Sequence, residues 1–144
     1  MLVINPYLYF KGNTEEAFNF YKSAFGGEFA MVMRFKDTPE SAHMPAADQD
    51  KIMHIALPIG KSSVLMGNDM VGPDADKLVI GTNFHITVST ESKEQSDNFF
   101  GKLSAGGQVT VPLADAFWGA YFGMCTDKFG VQWMISYDEK FQQQ

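Results

Sequence analysis

Two stretches of the chain run in the same order. Residues 5–10 read Asn-Pro-Tyr-Leu-Tyr-Phe, and residues 83–88 read Asn-Phe-His-Ile-Thr-Val. Each is a short alternating strand followed at once by a capped amphipathic helix, and the helices end at Gly26-Gly27 and Gly106-Gly107. An internal repeat constrains a fold more than any single motif, because like units must bury like faces. The mismatch inside the repeat carries its own information. Where the second copy has His85, the first has Tyr7.

The rest of the chain extends the repeat. A strand at about 3–10 leads to a helix for which Asn13 is the expected N-cap, with Glu16 completing a capping box. Ala17, Phe18, Phe20, Tyr21, Ala24 and Phe25 form its apolar face. Strands follow at about 28–36, 52–57 and 63–66, the last two joined by the Gly60-Lys61 turn. The polar stretch 37–50, with Pro39 and Pro45, reads as a mobile loop, and 67–82 reads as a linker. In the second copy, strand 83–89 leads to a helix capped by Ser89 or Thr90, with Phe99, Phe100 and Leu103 inward. Strands at about 108–112, 119–126 and 131–136 complete it, and the tail Gln142–Gln144 is expected to fray. The order is strand-helix-strand-strand-strand, twice: an α+β pattern, one domain over 1–144 built from units at about 1–70 and 80–138.

Composition narrows the function classes. A net charge of −6 argues against nucleic acid, whose phosphates need a basic footprint. The apolar fraction of 45% supplies a core. The single cysteine, Cys125, forms no internal disulfide and lacks CxxC metal spacing. The apolar first residues have no basic n-region and alternate like a strand, so no signal peptide and no membrane span is read. The expected location is the cytoplasm.

The segments Pro6–Asn13, Leu65–Asp69, Phe117-Trp118-Gly119 and Thr126–Ile135, set on two βαβββ copies, carry a family resemblance. The chain resembles the vicinal oxygen chelate superfamily of glyoxalase, bleomycin-resistance protein and extradiol dioxygenase. Within it, the chain is similar to the PhnB-like branch, also labelled a 3-demethylubiquinone 3-methyltransferase domain. The resemblance implies cup-shaped mixed sheets, helices on the convex side, and a homodimer. The methyltransferase label has no support in the residues, because no Gly-rich strand-to-helix turn is present to cradle a nucleotide-like cofactor.

Strand alternation sorts the faces. Phe84, Ile86 and Val88 belong under the helix, and His85 and Thr87 face the cup. By the repeat, Tyr7 and Tyr9 face it in the first unit, and Leu65 shares it with Gln132 and Met134. Ile52, His54 and Ala56 lie together on one face of their strand. Phe117, Trp118 and Tyr121 either wall a ligand cavity, pack a dimer interface or fill the cup.

Metal-dependent members of the superfamily carry His, Glu or Gln ligands on the first and last strands of each unit. Transferred by position, those places hold Tyr7, Leu65, His85 and Met134, of which only His85 is a usual ligand of a first-row metal. The expectation is therefore no inherited metal site and no cofactor. Three functions are open, in this order. The first is a metal-free small-molecule-binding protein; the second is a lyase-, isomerase- or dioxygenase-like enzyme with a new site around His54 and His85; the third is a structural or interaction subunit.

Overall fold

A computed structural model of the protein describes residues 1–140, so the expected fraying of Gln142–Gln144 lies outside the described residues. The chain divides into two compact units, Met1–Val79 and Ile80–Gln144. The first unit runs β1 (Tyr7–Phe10), α1 (Thr14–Phe25), β2 (Met31–Arg34), the one-turn α2 (Ala46–Gln49), β3 (Ile52–Ile59) and β4 (Ser63–Asp69). The second runs β5 (Ile86–Ser89), α3 (Lys93–Ser104), β6 (Gln108–Asp115), β7 (Tyr121–Thr126) and β8 (Gln132–Tyr137). The sheets have matching strand orders, β1-β4-β3-β2 and β5-β8-β7-β6. In each, the first strand pairs with the last in parallel and the other pairs are antiparallel. The α+β class and the doubled order are as the sequence implies.

The stretch 37–50 departs from the loop expectation. It folds into 3-10 turns at Phe35–Asp37 and Pro39–His43 and then α2. Thr38, Ser41 and Met44 donate their N–H groups to carbonyls three residues back. Each short turn thereby satisfies its own backbone, a common use of 3-10 geometry in connections.

The helix starts are built differently from the expectation. In α1, Ala17, Phe18, Tyr21 and Ala24 form the buried stripe. The helix stops at Gly26, whose φ of 79° suits glycine and whose N–H donates to the Lys22 carbonyl. Asn13 occupies the N-cap position, but its side chain makes no capping bond. The carboxylate of Asp69, at the end of β4, takes that role. It accepts from Gly12 N at 2.9 Å, Thr14 N at 3.0 Å, Thr14 Oγ1 at 2.6 Å and Ile52 N at 2.8 Å. A buried negative charge there also faces the positive end of the helix dipole.

The second helix caps itself. Its N-cap is Ser92, neither Ser89 nor Thr90. Ser92 Oγ accepts from Gln95 N at 3.0 Å, and Gln95 Oε1 accepts from Glu91 N at 2.8 Å. Ser-x-x-Gln is a capping-box sequence. Ser89 stays in β5, while Thr90 is buried against the Ser96 hydroxyl.

Two strand glycines fix which sheet face meets each helix. A Cβ on Gly67 would lie 2.7 Å from the Leu8 carbonyl oxygen and 2.9 Å from the Phe18 ring, so β4 meets α1 there. A Cβ on Gly123 would meet the Phe100 ring at 3.0 Å, so β7 meets α3 there. The buried core follows the same parity: Leu8, Phe10, Ile55, Leu57 and Leu65 in the first unit, Cys125, Trp133 and Ile135 in the second. Buried Asp127 organises the β7–β8 turn, accepting from Phe129 N, Val131 N and Trp133 Nε1.

Candidate functional site

The sheet face away from α1 carries Tyr7, Tyr9, Met66 and Asn68, since Tyr7 pairs with Met66 and Tyr9 with Asn68. His54 joins them from β3, opposite Met33. The expected position of Leu65 is corrected. It is only 2% exposed and shares the helix-facing parity of Gly67, so Met66 takes the place assigned to it. Ile52 also leaves the group expected on the His54 face. A bulge beside Met33 and Arg34 breaks the alternation of β3, and Ile52 is buried.

Tyr7 and His54 form a side-chain pair on this face. The phenolic oxygen lies 3.3 Å from His54 Nδ1, the ring centroids are 5.7 Å apart, and Tyr9 stacks obliquely on Tyr7 at 5.2 Å. Burial, helped by neighbouring Tyr9, pushes the Tyr7 phenol above its usual range.

In the second unit, Thr87 pairs with Met134 and Ser89 with Ser136 on the face away from α3. A pocket of about 270 Å³ opens there, lined by Thr87, Ser89, Trp118, Ala120, Met134, Ser136 and Asp138. Thr87 Oγ1 lies 3.6 Å from Met134 Sδ, and Trp118 packs edge-on to Phe122 at 5.4 Å. The sequence-based candidates Thr87, Trp118 and Met134 therefore come together. Four lining residues escaped the sequence reading: Ser89, Ala120, Ser136 and Asp138. Strand alternation onward from Thr87 and from Met134 points to Ser89, Ser136 and Asp138.

Other candidates go elsewhere. Tyr121 has the parity of Gly123 and faces α3, where its hydroxyl donates to Asp97 and the Lys93 ammonium sits 5.1 Å from the ring centroid. Its assignment to the cup is corrected, and Phe122 holds the other face. Phe117 is 98% exposed and lines no part of the pocket, while Trp118, stacked edge-on to it at 5.0 Å, is 51% exposed. Gln132 is tied down by donating Nε2 to the Phe84 carbonyl. His85 is half-buried just before β5 and is not a lining residue.

Sheet register also revises the repeat. Tyr7 pairs with Met66 and Thr87 with Met134, each pair on the helix-free face of its sheet, so Met66, and not Leu65, shares the parity of Met134. On the helix-free faces of the four end strands, the donors are phenols, thioethers, hydroxyls and the amides of Asn68 and Gln132. Among the described residues, no group of three or more His, Cys, Asp or Glu could hold a metal ion. This donor set does not fit the hard first-row ion of the superfamily's metalloenzymes. Cys125 is no nucleophile either: burial, followed by the charge of Asp127, pushes its thiol up to about 11. The glycine pairs end helices instead of opening a nucleotide-binding turn.

Doubled βαβββ units with these sheet orders define a class, and residues 3–135 match its family model. The chain belongs to the Glyoxalase/Bleomycin resistance protein/Dioxygenase superfamily. Within that superfamily it falls in the PhnB-like branch. The structure described as a putative 3-demethylubiquinone-9 3-methyltransferase, PhnB protein, from Bacillus cereus is 26% identical, with a TM-score of 0.74 over 94% of this chain and 99% of that one. Protein PA1353 from Pseudomonas aeruginosa is 38% identical, with a TM-score of 0.80 over 96% of this chain and 98% of that one. Protein YjdN of Escherichia coli is 29% identical over 92% of this chain and 93% of its own length.

Proposed function

We propose that the protein binds a small molecule without the superfamily's metal, as a homodimer in the cytoplasm. The pocket on the helix-free face of the second unit carries this reading. Its volume of about 270 Å³ lies just below the usual range for drug-sized ligands. Its walls combine an indole, a thioether and three hydroxyls, the mixture of apolar surface and a few polar groups that ligand sites use. Exposed Met31 and Val32 on β2, and Val109 and Val111 on β6, supply apolar surface for self-association.

The test uses protein purified without chelator, with metal content measured alongside an amide NMR titration using indole. The expected result is substoichiometric metal, with Thr87, Ser89 and Ser136 shifting equally with and without added EDTA. Stoichiometric metal whose removal abolishes those shifts would overturn the metal-free reading. The Tyr7–His54 hydrogen bond favours a second reading, proton transfer by the imidazole on the first unit. In that case Tyr7→Phe would shift the pH dependence of turnover, once a substrate is found, and leave indole binding unchanged.

A further inference from the structure

We propose that the second-unit pocket selects a small ligand bearing a protonated amine on an apolar, aromatic body. This rests on the reading of that pocket as a ligand site and names the chemistry the site recognises. Among the lining residues, Asp138 is the single formal charge, and no Lys, Arg or His accompanies it. One of its oxygens accepts from Lys140 N at 3.0 Å, but a carboxylate has lone pairs for several donors. Asp138 continues the alternation Met134, Ser136, Asp138 that runs off the end of β8.

The neutral walls favour the same ligand. Thr87, Ser89 and Ser136 offer hydroxyl oxygens that can accept from an ammonium group, whose three N–H donors need several acceptors at once. Trp118 presents a half-exposed indole, the side chain best suited to a cation over its face. Met134 adds a polarisable thioether that packs well on aromatic surface. A metal ion would need more charged oxygen donors than one carboxylate supplies, and an anion would face Asp138 with no basic partner. The chain's net charge of −6 reinforces the preference for a cation.

Three probes of similar size separate charge from shape: phenethylammonium, 2-phenylethanol and 3-phenylpropanoate. Each is titrated into the full-length labelled protein and followed by amide NMR at Thr87, Ser89 and Ser136. Phenethylammonium is expected to bind about tenfold tighter than the alcohol, with the carboxylate weakest. Asp138→Asn should narrow the gap between ammonium and alcohol by about threefold or more, whereas Trp118→Ala should weaken both. Added salt provides a readout without mutation, because it should erode ammonium binding and spare the alcohol. Equal binding of ammonium and alcohol to the unmutated protein, or a preference for the carboxylate, would overturn the amine inference and leave the pocket standing. If none of the three moves the lining residues at millimolar concentration, the pocket reading falls as well.

Discussion

The two units share one strand order, yet they anchor their helices by opposite means. The first holds the start of α1 with a carboxylate borrowed from β4, in which Asp69 binds Gly12, Thr14 and Ile52 together. The second closes the start of α3 locally, through Ser92 and Gln95, and seats it with the Thr90–Ser96 hydroxyl pair. Their helix-free faces differ as well. Tyr7, Tyr9 and His54 crowd the first with rings, while Thr87, Ser89 and Ser136 leave the second lined with hydroxyls around a pocket. A repeated topology thus settles where strands and helices go. It leaves the chemistry of each face to individual side chains.

The largest expected effect comes from removing the borrowed cap. Asp69→Ala strands several buried N–H groups and should cost about 3–5 kcal/mol in urea unfolding, a loss typical of a broken buried network. Thr90→Ala, at the corresponding join of the second unit, should cost about 1–2 kcal/mol, because it loses a neutral hydroxyl contact. Equal losses would erase the contrast between tertiary and local anchoring.

Gly67→Ala comes next. The added methyl meets the Leu8 carbonyl as well as the Phe18 ring, and backbone does not yield as a flexible side chain would. A loss of about 2–3 kcal/mol is expected, with displaced Phe18 signals in the NMR spectrum. At the caps themselves, Ser92→Ala should cost about 1 kcal/mol. Asn13→Ala, whose side chain makes no cap bond, should stay within about 0.5 kcal/mol. A reversed order would mean that the two helix starts are alike after all.

The smallest effect near neutrality belongs to Cys125. Its thiol is raised from 9.0 to about 11 in the folded protein, so folding favours the neutral form. That stabilisation is complete below pH 9 and is lost as pH rises toward about 11. Against the unmutated protein, Cys125→Val should therefore show a shallower decline of stability over this alkaline window, measured by unfolding at successive pH values. Identical slopes would contradict the raised thiol.

Much of the fold was legible because its signals are local. The alternation of residues 7–10, the apolar stripe from Ala17 to Ala24 and the Gly26 stop each act within a few residues. Asp69 as a cap was not legible, because its partners lie far along the chain and meet it only in the folded unit. The register of Leu65 was missed for a related reason. One residue of slip moves a strand's whole set of side chains to the opposite face. Gly67 and Gly123 held the clue, since a glycine inside a strand often marks a close approach by another element. From Gly123, Tyr121 falls under α3; from Gly67, Leu65 falls under α1. The strand expected at about 131–136 ends one alternation short of Asp138, because acidic residues are rare in strands.

The central claim is that the hydroxyl-lined face of the second unit, and not the Tyr7–His54 face of the first, takes the ligand. A crystal of chelator-free protein soaked in phenethylamine tests it most directly. The expected result is ligand density among Thr87, Trp118, Ser136 and Asp138, with the amine nitrogen toward the carboxylate. Density on Tyr7 and His54 with the second-unit pocket empty, or a metal ion held by His54, would contradict it.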